Sequence, residues 1–318
     1  MPGRLVVVLF SFLVAGASGC RMQRAATKNF AELFRASAKV PHRIEHPRRA
    51  DAGLAVLWVG HATVLLQMDD KFILTDPVFT STVGQLSKRL TEPGISPDAV
   101  PPIDAVLISH LHFDHLSYGS LEMLERKIRR IVVPEHGLVY LPDFAFDAME
   151  LPVWRSYEES GMRVTAVPVR HVGWRYGTDA AWMTKSFCGY VIEYNGMTVY
   201  YGGDTGYEAP DFAAARARFP HIDVAILPIG PIAPRAFMEH NHEDPDEAVR
   251  AFLALGARWM VPIHYDTFIN STDAPGEAPE RLVIAARASG VSERVAILGI
   301  GEQRVFLPRA LSHALSRP

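Results

Sequence analysis

Residues His110-Leu111-His112-Phe113-Asp114-His115 follow the run Asp104-Ala105-Val106-Leu107-Ile108-Ser109. This puts four potential metal ligands within six residues, at the end of a predicted buried strand. Imidazole and carboxylate together suit zinc or another borderline first-row metal. In a tight loop His110 and His112 can point to one side, while Asp114 and His115 reach a second ion. Three more ligand-type residues have the same address: His171 follows Met162–Val169, Asp204 follows Met197–Gly203, and His264 follows Trp259–Ile263. Each stands just past an apolar, strand-like run. Strand ends are where a rigid scaffold gathers residues from distant parts of a chain. As a set they point to a binuclear metal site.

The pattern His-x-His-x-Asp-His, then a single His, a single Asp and a last His, resembles the metallo-β-lactamase superfamily. The resemblance implies that His110, His112 and His171 hold one zinc. Asp114, His115 and His264 would hold a second, with Asp204 bridging the two. The diiron branch of the superfamily usually has Glu at position 112; His112 points to zinc.

Further segments narrow the resemblance to N-acyl phosphatidylethanolamine-hydrolysing phospholipase D and its bacterial relatives. They are Gly60-His61-Ala62-Thr63, Leu74–Phe79, Gly203–Tyr207, Leu227–Gly230, Pro234–Met238, His242–Ala248 and Ile263–Phe268. The match covers roughly residues 54–300. It implies a four-layer αββα sandwich of mixed α/β (α+β) class. Between Gly173 and Lys185 the chain has its own composition.

Charge is distributed unevenly. Residues 21–49 hold eight Lys/Arg against two Glu. With Arg4 they carry +7, which leaves −10 on residues 50–318 of a chain whose net charge is −3. An acidic body argues against nucleic acid as substrate, because a nuclease must neutralise phosphates.

Residues 1–20 read as an export signal: Arg4, an apolar core Leu5–Val14, then Ala15-Gly16-Ala17-Ser18-Gly19. Cys20 follows at once, which resembles a bacterial lipoprotein signal with Cys20 lipidated. Plain secretion and an uncleaved anchor are the alternatives. The expected location is the bacterial cell envelope, anchored at Cys20. The basic linker 21–50, with Phe30, Leu33 and Phe34 at near-helical spacing, reads either as a tether to anionic headgroups or as a linker helix packed on the body. Cys188 is the one other cysteine and reads as a small buried hydrophobe.

The hydrolase domain is expected over 51–318, with no second domain. Strands are predicted at Leu54–Val59, Val64–Met68, Phe72–Thr75, Ile222–Pro228, Val295–Ile300 and Arg304–Leu307. Asn195-Gly196 between Tyr190–Tyr194 and Met197–Tyr201 signals a hairpin. Ser120–Ile128 reads as a helix. So does Asp244–Leu255, with Asp244 as cap, Glu247 in the capping-box position and Gly256 as stop. No stretch past the leader is long and apolar enough to span a bilayer as a helix.

A binuclear zinc site lowers the pKa of a shared water toward neutral. Two Asp ligands leave the pair net positive, which favours an anionic ester such as a phosphodiester. Lactone or amide hydrolysis on the same metals stays open, as does a non-catalytic metal-binding lipoprotein. Asp114, Asp204 and His242 are the candidate catalytic residues, with His242 as substrate contact or general acid. Asp76 is a candidate partner for a ligating imidazole, and His61 is expected near the site rather than on the metal. Phe113 is expected beside the site or against substrate. Trp174, Arg175, Tyr176, Trp182 and Met183 read as a lid that holds a lipid chain and its phosphate. The remaining histidines, at 42, 46, 136, 221, 240 and 313, lack matching context.

Overall fold

The computed structural model describes residue 32 and residues 34–41, 43–84 and 87–309. The signal segment, Cys20, Phe30, Leu33, His42 and His313 lie outside these residues. Thirteen of the strands form two sheets. The first contains Ala52–Gly60 (β1), Thr63–Met68 (β2) and Lys71–Thr75 (β3). A two-stranded ribbon, Thr82–Val83 (β4) and Ser87–Lys88 (β5), stands apart. Ala105–Leu107 (β6), Arg130–Pro134 (β7), Asp147–Leu151 (β8) and Gln303–Pro308 (β15) complete the first sheet, in the order β15-β1-β2-β3-β6-β7-β8. The second holds Ser156–Glu159 (β9), Met162–Val167 (β10), Gly189–Tyr194 (β11), Met197–Tyr201 (β12), Val224–Pro228 (β13) and Trp259–Ile263 (β14), in the order β14-β13-β12-β11-β10-β9.

Period-2 alternation builds the layers. In β1, Leu54, Val56 and Trp58 face the large core between the sheets, while Leu57 and Val59 face a second core outside the first sheet. Tyr118–Leu124 (α1) covers that outer core with Leu121 and Leu124. In β12, the Tyr201 hydroxyl reaches Ala62 across the inner layer, whereas Tyr200 packs on Phe212 of Ala209–Arg218 (α2) outside the second sheet. A one-turn helix, Arg235–Met238 (α3), precedes Pro245–Leu255 (α4); Glu277–Ala288 (α5) packs beside α4. The result is helices outside two stacked sheets.

The α4 boundaries follow their local chemistry. Asp244 accepts from the Glu247 N–H at 2.9 Å, Glu247 closes the capping box, and Gly256 ends the helix at φ 65°. The Asn195-Gly196 hairpin turn has φ of 48° and 75°, the pairing a type I′ turn requires.

Two expected elements differ. The helix over Ser120–Ile128 starts earlier and stops at Leu124; Glu125–Lys127 tightens into a 3₁₀ turn. Val295–Ile300 is not a strand. Val295 makes a single bridge to Met260 of β14, and Gly301 then donates to the Trp58 carbonyl in β1. The run is apolar because Ala296 and Leu298 enter the core while it crosses from one sheet to the other, not because it pairs. In the described part of the linker, Ala38 and Ile44 bridge to Thr91 and Ile95, so the chain lies extended along the body there and is not helical. Among the described residues no helix is long and apolar enough to cross a membrane.

The topology brings seven segment ends to one edge. β3, β6 and β7 run parallel, as do β12, β13 and β14. β1 is two antiparallel steps from β3, and β10 two from β12, so they share those directions. The residues after β1, β3, β6, β10, β12, β13 and β14 therefore open on the same rim: His61, Asp76, His110, His171, Asp204, Gly230 and His264.

Candidate metal centre

Three of the rim residues take left-handed backbone without being glycine: His61 at φ 56°, Asp76 at φ 34° and His264 at φ 66°. Such conformations cost energy for a non-glycine residue and cluster at functional sites. At Gly203, φ is 59° and an added Cβ would stand 2.3 Å from Ser109 Cβ. That contact lets β12 deliver Asp204 against the metal loop. Gly203→Ala is expected to lower stability by about 2–4 kcal/mol, combining the left-handed cost with overpacking. An unchanged urea midpoint would contradict this.

The ligand-type side chains gather in two clusters. One donor atom from each of His110, His112 and His171 lies within 4.8 Å of the others. The same holds for His61, Asp114, His115 and His264. Asp204 sits between them: it groups with His110 and His115 on one side, and with His242 and His264 on the other. Its Oδ2 is 3.1 Å from His264 Nε2, 3.3 Å from His115 Nε2 and 3.5 Å from His242 Nδ1.

Three of the imidazoles are oriented through their other nitrogen, as metal ligands generally are. His115 Nδ1 lies 2.7 Å from Asp76 Oδ2, His171 Nδ1 2.9 Å from the Asn241 carbonyl, and His264 Nδ1 3.0 Å from the Gly230 carbonyl. Asp76 is itself fully buried and accepts from Ser109 N–H at 2.7 Å, Ser109 Oγ at 2.6 Å and Tyr201 OH at 2.5 Å. It is thus the carboxylate partner of an imidazole.

The inward atoms test whether metal ions fit. His112 Nε2, His115 Nε2, His171 Nε2, His264 Nε2, His242 Nδ1 and Asp204 Oδ1 are buried with no hydrogen-bond partner among the described residues. Six converging orphaned donors and acceptors are costly unless a ligand satisfies them. Electrostatics agree. Burial would raise Asp204 and Asp114, but His264 and His115 beside them hold both well below the usual carboxylate range. Burial would lower His115 and His264, yet Asp204 above all raises both, His264 to about 9. Burial, followed by its histidine neighbours, keeps His110 well below the usual range. The carboxylates are balanced here by the cationic forms of His115 and His264, a role that bound divalent ions would take over. The residues present fit two such ions.

His242 projects into the rim next to Asp204, and burial, opposed by Asp204, holds it down to about 4. His61, expected only nearby, instead brings Nε2 to 2.9 Å from Asp114 Oδ2. The lid is only partly as expected. Arg175 turns inward: it is buried, donates to the Leu111 and Leu116 carbonyls at 2.7 and 3.0 Å, and stacks on Phe113 and Tyr118. It clamps both flanks of the metal loop through a single nitrogen, Nη1, that donates to both carbonyls. Met183 is also buried, and Trp174 packs edge-on to His112 at 4.6 Å. Phe113, Tyr176 and Trp182 remain exposed. Cys188 is buried, which pushes its thiol up to about 12.

Ser109, Tyr201 and Thr267 were not foreseen in the sequence. Thr267 Oγ1 accepts from the His61 N–H at 2.6 Å. Tyr201 had one available signal: in a strand that ends at a ligand-type residue, alternate side chains face the opposite sheet.

Comparisons with known proteins follow the same lines. A model of the β-lactamase superfamily domain matches residues 71–265. A Mycobacterium tuberculosis protein described as uncharacterized is 33% identical over 83% of this chain and 73% of its own length. N-acyl-phosphatidylethanolamine-hydrolyzing phospholipase D 1 of Caenorhabditis elegans is 30% identical over 69% of this chain and 65% of its own length. The crystal structure of a possible metal-dependent hydrolase from Veillonella parvula superposes with a TM-score of 0.63 at 19% identity, covering 80% of this chain and 99% of that one. That likeness is one of fold, the mixed α/β sandwich. The chain belongs to the metallo-β-lactamase superfamily, as a metal-dependent hydrolase resembling N-acyl-phosphatidylethanolamine-hydrolysing phospholipase D.

Proposed function

We propose that this chain is a zinc-dependent phosphodiesterase of phospholipase D type, acting on N-acyl phosphatidylethanolamine-like phospholipids at a membrane surface. The observation that carries the reading is Asp204, set between a three-residue and a four-residue donor cluster at one rim. The likeness to the C. elegans phospholipase D supports the substrate class. His110, His112 and His171 would hold one zinc; Asp114, His115 and His264 the other; Asp204 both. When bound, the ions supply a nucleophilic water at neutral pH and a positive field for an anionic ester. Asp76 fixes the ring of His115, Asn241 that of His171 and Gly230 that of His264. His242 offers a ring nitrogen to a substrate oxygen beside Asp204. Arg175 keeps the metal loop in shape through two backbone carbonyls.

The exposed side chains of Phe113, Tyr176 and Trp182 suit a lipid chain at the mouth. Anchoring at Cys20, helped by the basic residues 21–49, would hold the exported protein on the membrane that carries its substrate. Trp182→Ala is expected to leave metal content unchanged. It should lower activity on a long-chain lipid about 15- to 60-fold, the loss of two or three methylene contacts at about 0.8 kcal/mol each. A small soluble phosphodiester should be cleaved as before; equal losses on both would contradict a lipid contact. Trp174 does not serve this test, because it packs on His112.

Zinc-loaded protein offered N-acyl phosphatidylethanolamine, an aryl phosphodiester and a lactone panel tests the function. Phosphatidic acid release is the expected result. Cleavage of lactones alone would make the protein a carboxylic-ester hydrolase, and no turnover would make it a metal-binding lipoprotein.

A further inference from the structure

His61 is the one left-handed residue of the rim trio to which the proposed reaction assigns no task. Its backbone and its side chain point to different partners. The carbonyl accepts from His264 N–H at 3.1 Å and from Trp58 Nε1 at 2.9 Å, and the N–H donates to Thr267 Oγ1 at 2.6 Å. The imidazole, buried at 1% exposure, brings Nε2 to 2.9 Å from Asp114 Oδ2. Its ring centroid lies 4.0 Å from that of His264, the two planes tilted by 39°, and 5.1 Å from that of Phe268 in a T-shaped arrangement. One residue thus touches two members of the second cluster: His264 through backbone and ring, Asp114 through Nε2. Asp114 comes from a loop after the first sheet's β6, His264 from the end of the second sheet's β14. These segments share no strand pairing, so their relative placement depends on what spans the gap between sheets.

We propose that His61 is a positioning residue for the second metal: its Nε2–H holds one oxygen of Asp114, leaving the carboxylate aimed at the ion, while its backbone seats His264. This rests on the two-ion reading of the site and adds a task to it. A left-handed position in a β-turn is normally filled by Gly or Asn. A histidine there keeps the strain in exchange for a donor that reaches across the sheets. Nε2 also lies close enough to His115 and His264 to serve as a ligand itself, so the test must separate the two roles.

The test is titration of metal-free protein with Co²⁺, read by visible absorption and by competition with a chelator. His61→Asn keeps a residue that tolerates the left-handed turn, but its amide is too short to reach Asp114. His61→Gln places an amide N–H near the Nε2 position. Orienting partners of metal ligands are worth about 10- to 100-fold in affinity. The expected result is that His61→Asn binds the first ion as wild type and the second about 10- to 100-fold more weakly. His61→Gln should recover the second affinity to within about threefold, and both variants should keep the wild-type Co²⁺ spectrum at saturation. Loss of the second ion in both variants, with a changed spectrum, would overturn positioning in favour of ligation. Unchanged affinity in both would reduce His61 to packing. If wild-type protein itself bound fewer than two ions, the two-ion reading would fall instead. Circular dichroism of each metal-free variant, matching wild type, keeps a folding defect from passing as weak binding.

Discussion

Asp204→Ala protein is expected to lose hydrolysis by about three orders of magnitude and to bind its metals weakly at both positions. The carboxylate is buried, ionised, and within 3.5 Å of His115, His242 and His264, with Oδ1 free of any hydrogen bond among the described residues. Among the described residues no other carboxylate groups with members of both donor clusters. Removing it leaves each cluster short of one anionic donor and removes the link between the ions. Losing a metal-centred stabilisation of about 4 kcal/mol corresponds to about 10³-fold in rate. Steady-state rates together with metal content check this. A variant that retained both ions and more than a tenth of the rate would show that Asp204 bridges nothing.

The second large effect is expected at a residue outside the ligand set. Asp76→Ala strips the partner from His115 Nδ1, Ser109 N, Ser109 Oγ and Tyr201 OH at once, all in a fully buried pocket. Breaking a buried charged network leaves unpaired polar groups and costs about 3–5 kcal/mol. In a chain of this size that lowers Tm by about 10 °C. The ring of His115 also loses its orientation, so the second metal should bind about 10- to 100-fold more weakly. Thermal melts and a metal titration read the two effects separately. Weak metal binding with an unchanged Tm would mean that Asp76 only aims a ligand; a lower Tm with unchanged metal affinity would mean that it only supports the fold.

Ligand-type residues were the most legible part of the sequence. A metal imposes residue types with few substitutes, and parallel strands deliver them at a shared edge, so His110, His171, Asp204 and His264 could be picked out by address alone. The Asp244 helix was legible for a similar reason, because capping is local chemistry within four residues. Direction inside loops was not. Arg175 sits in a polar, aromatic loop that reads as solvent-facing, yet it turns inward because the Leu111 and Leu116 carbonyls offer partners that only the folded metal loop creates. The Val295–Ile300 run misled in a different way: apolar composition records burial, while strand identity needs a pairing neighbour. Tyr201 and Thr267 were hidden because each stands inside or beside an apolar segment, where a hydroxyl reads as tolerated rather than used.

On the function proposed above, the two donor clusters joined by Asp204 hold a pair of metal ions. Elemental analysis of the purified, zinc-reconstituted protein tests it most directly. Two zinc ions per chain are expected, falling together on chelation along with all hydrolytic activity. One ion per chain, or none, would contradict it.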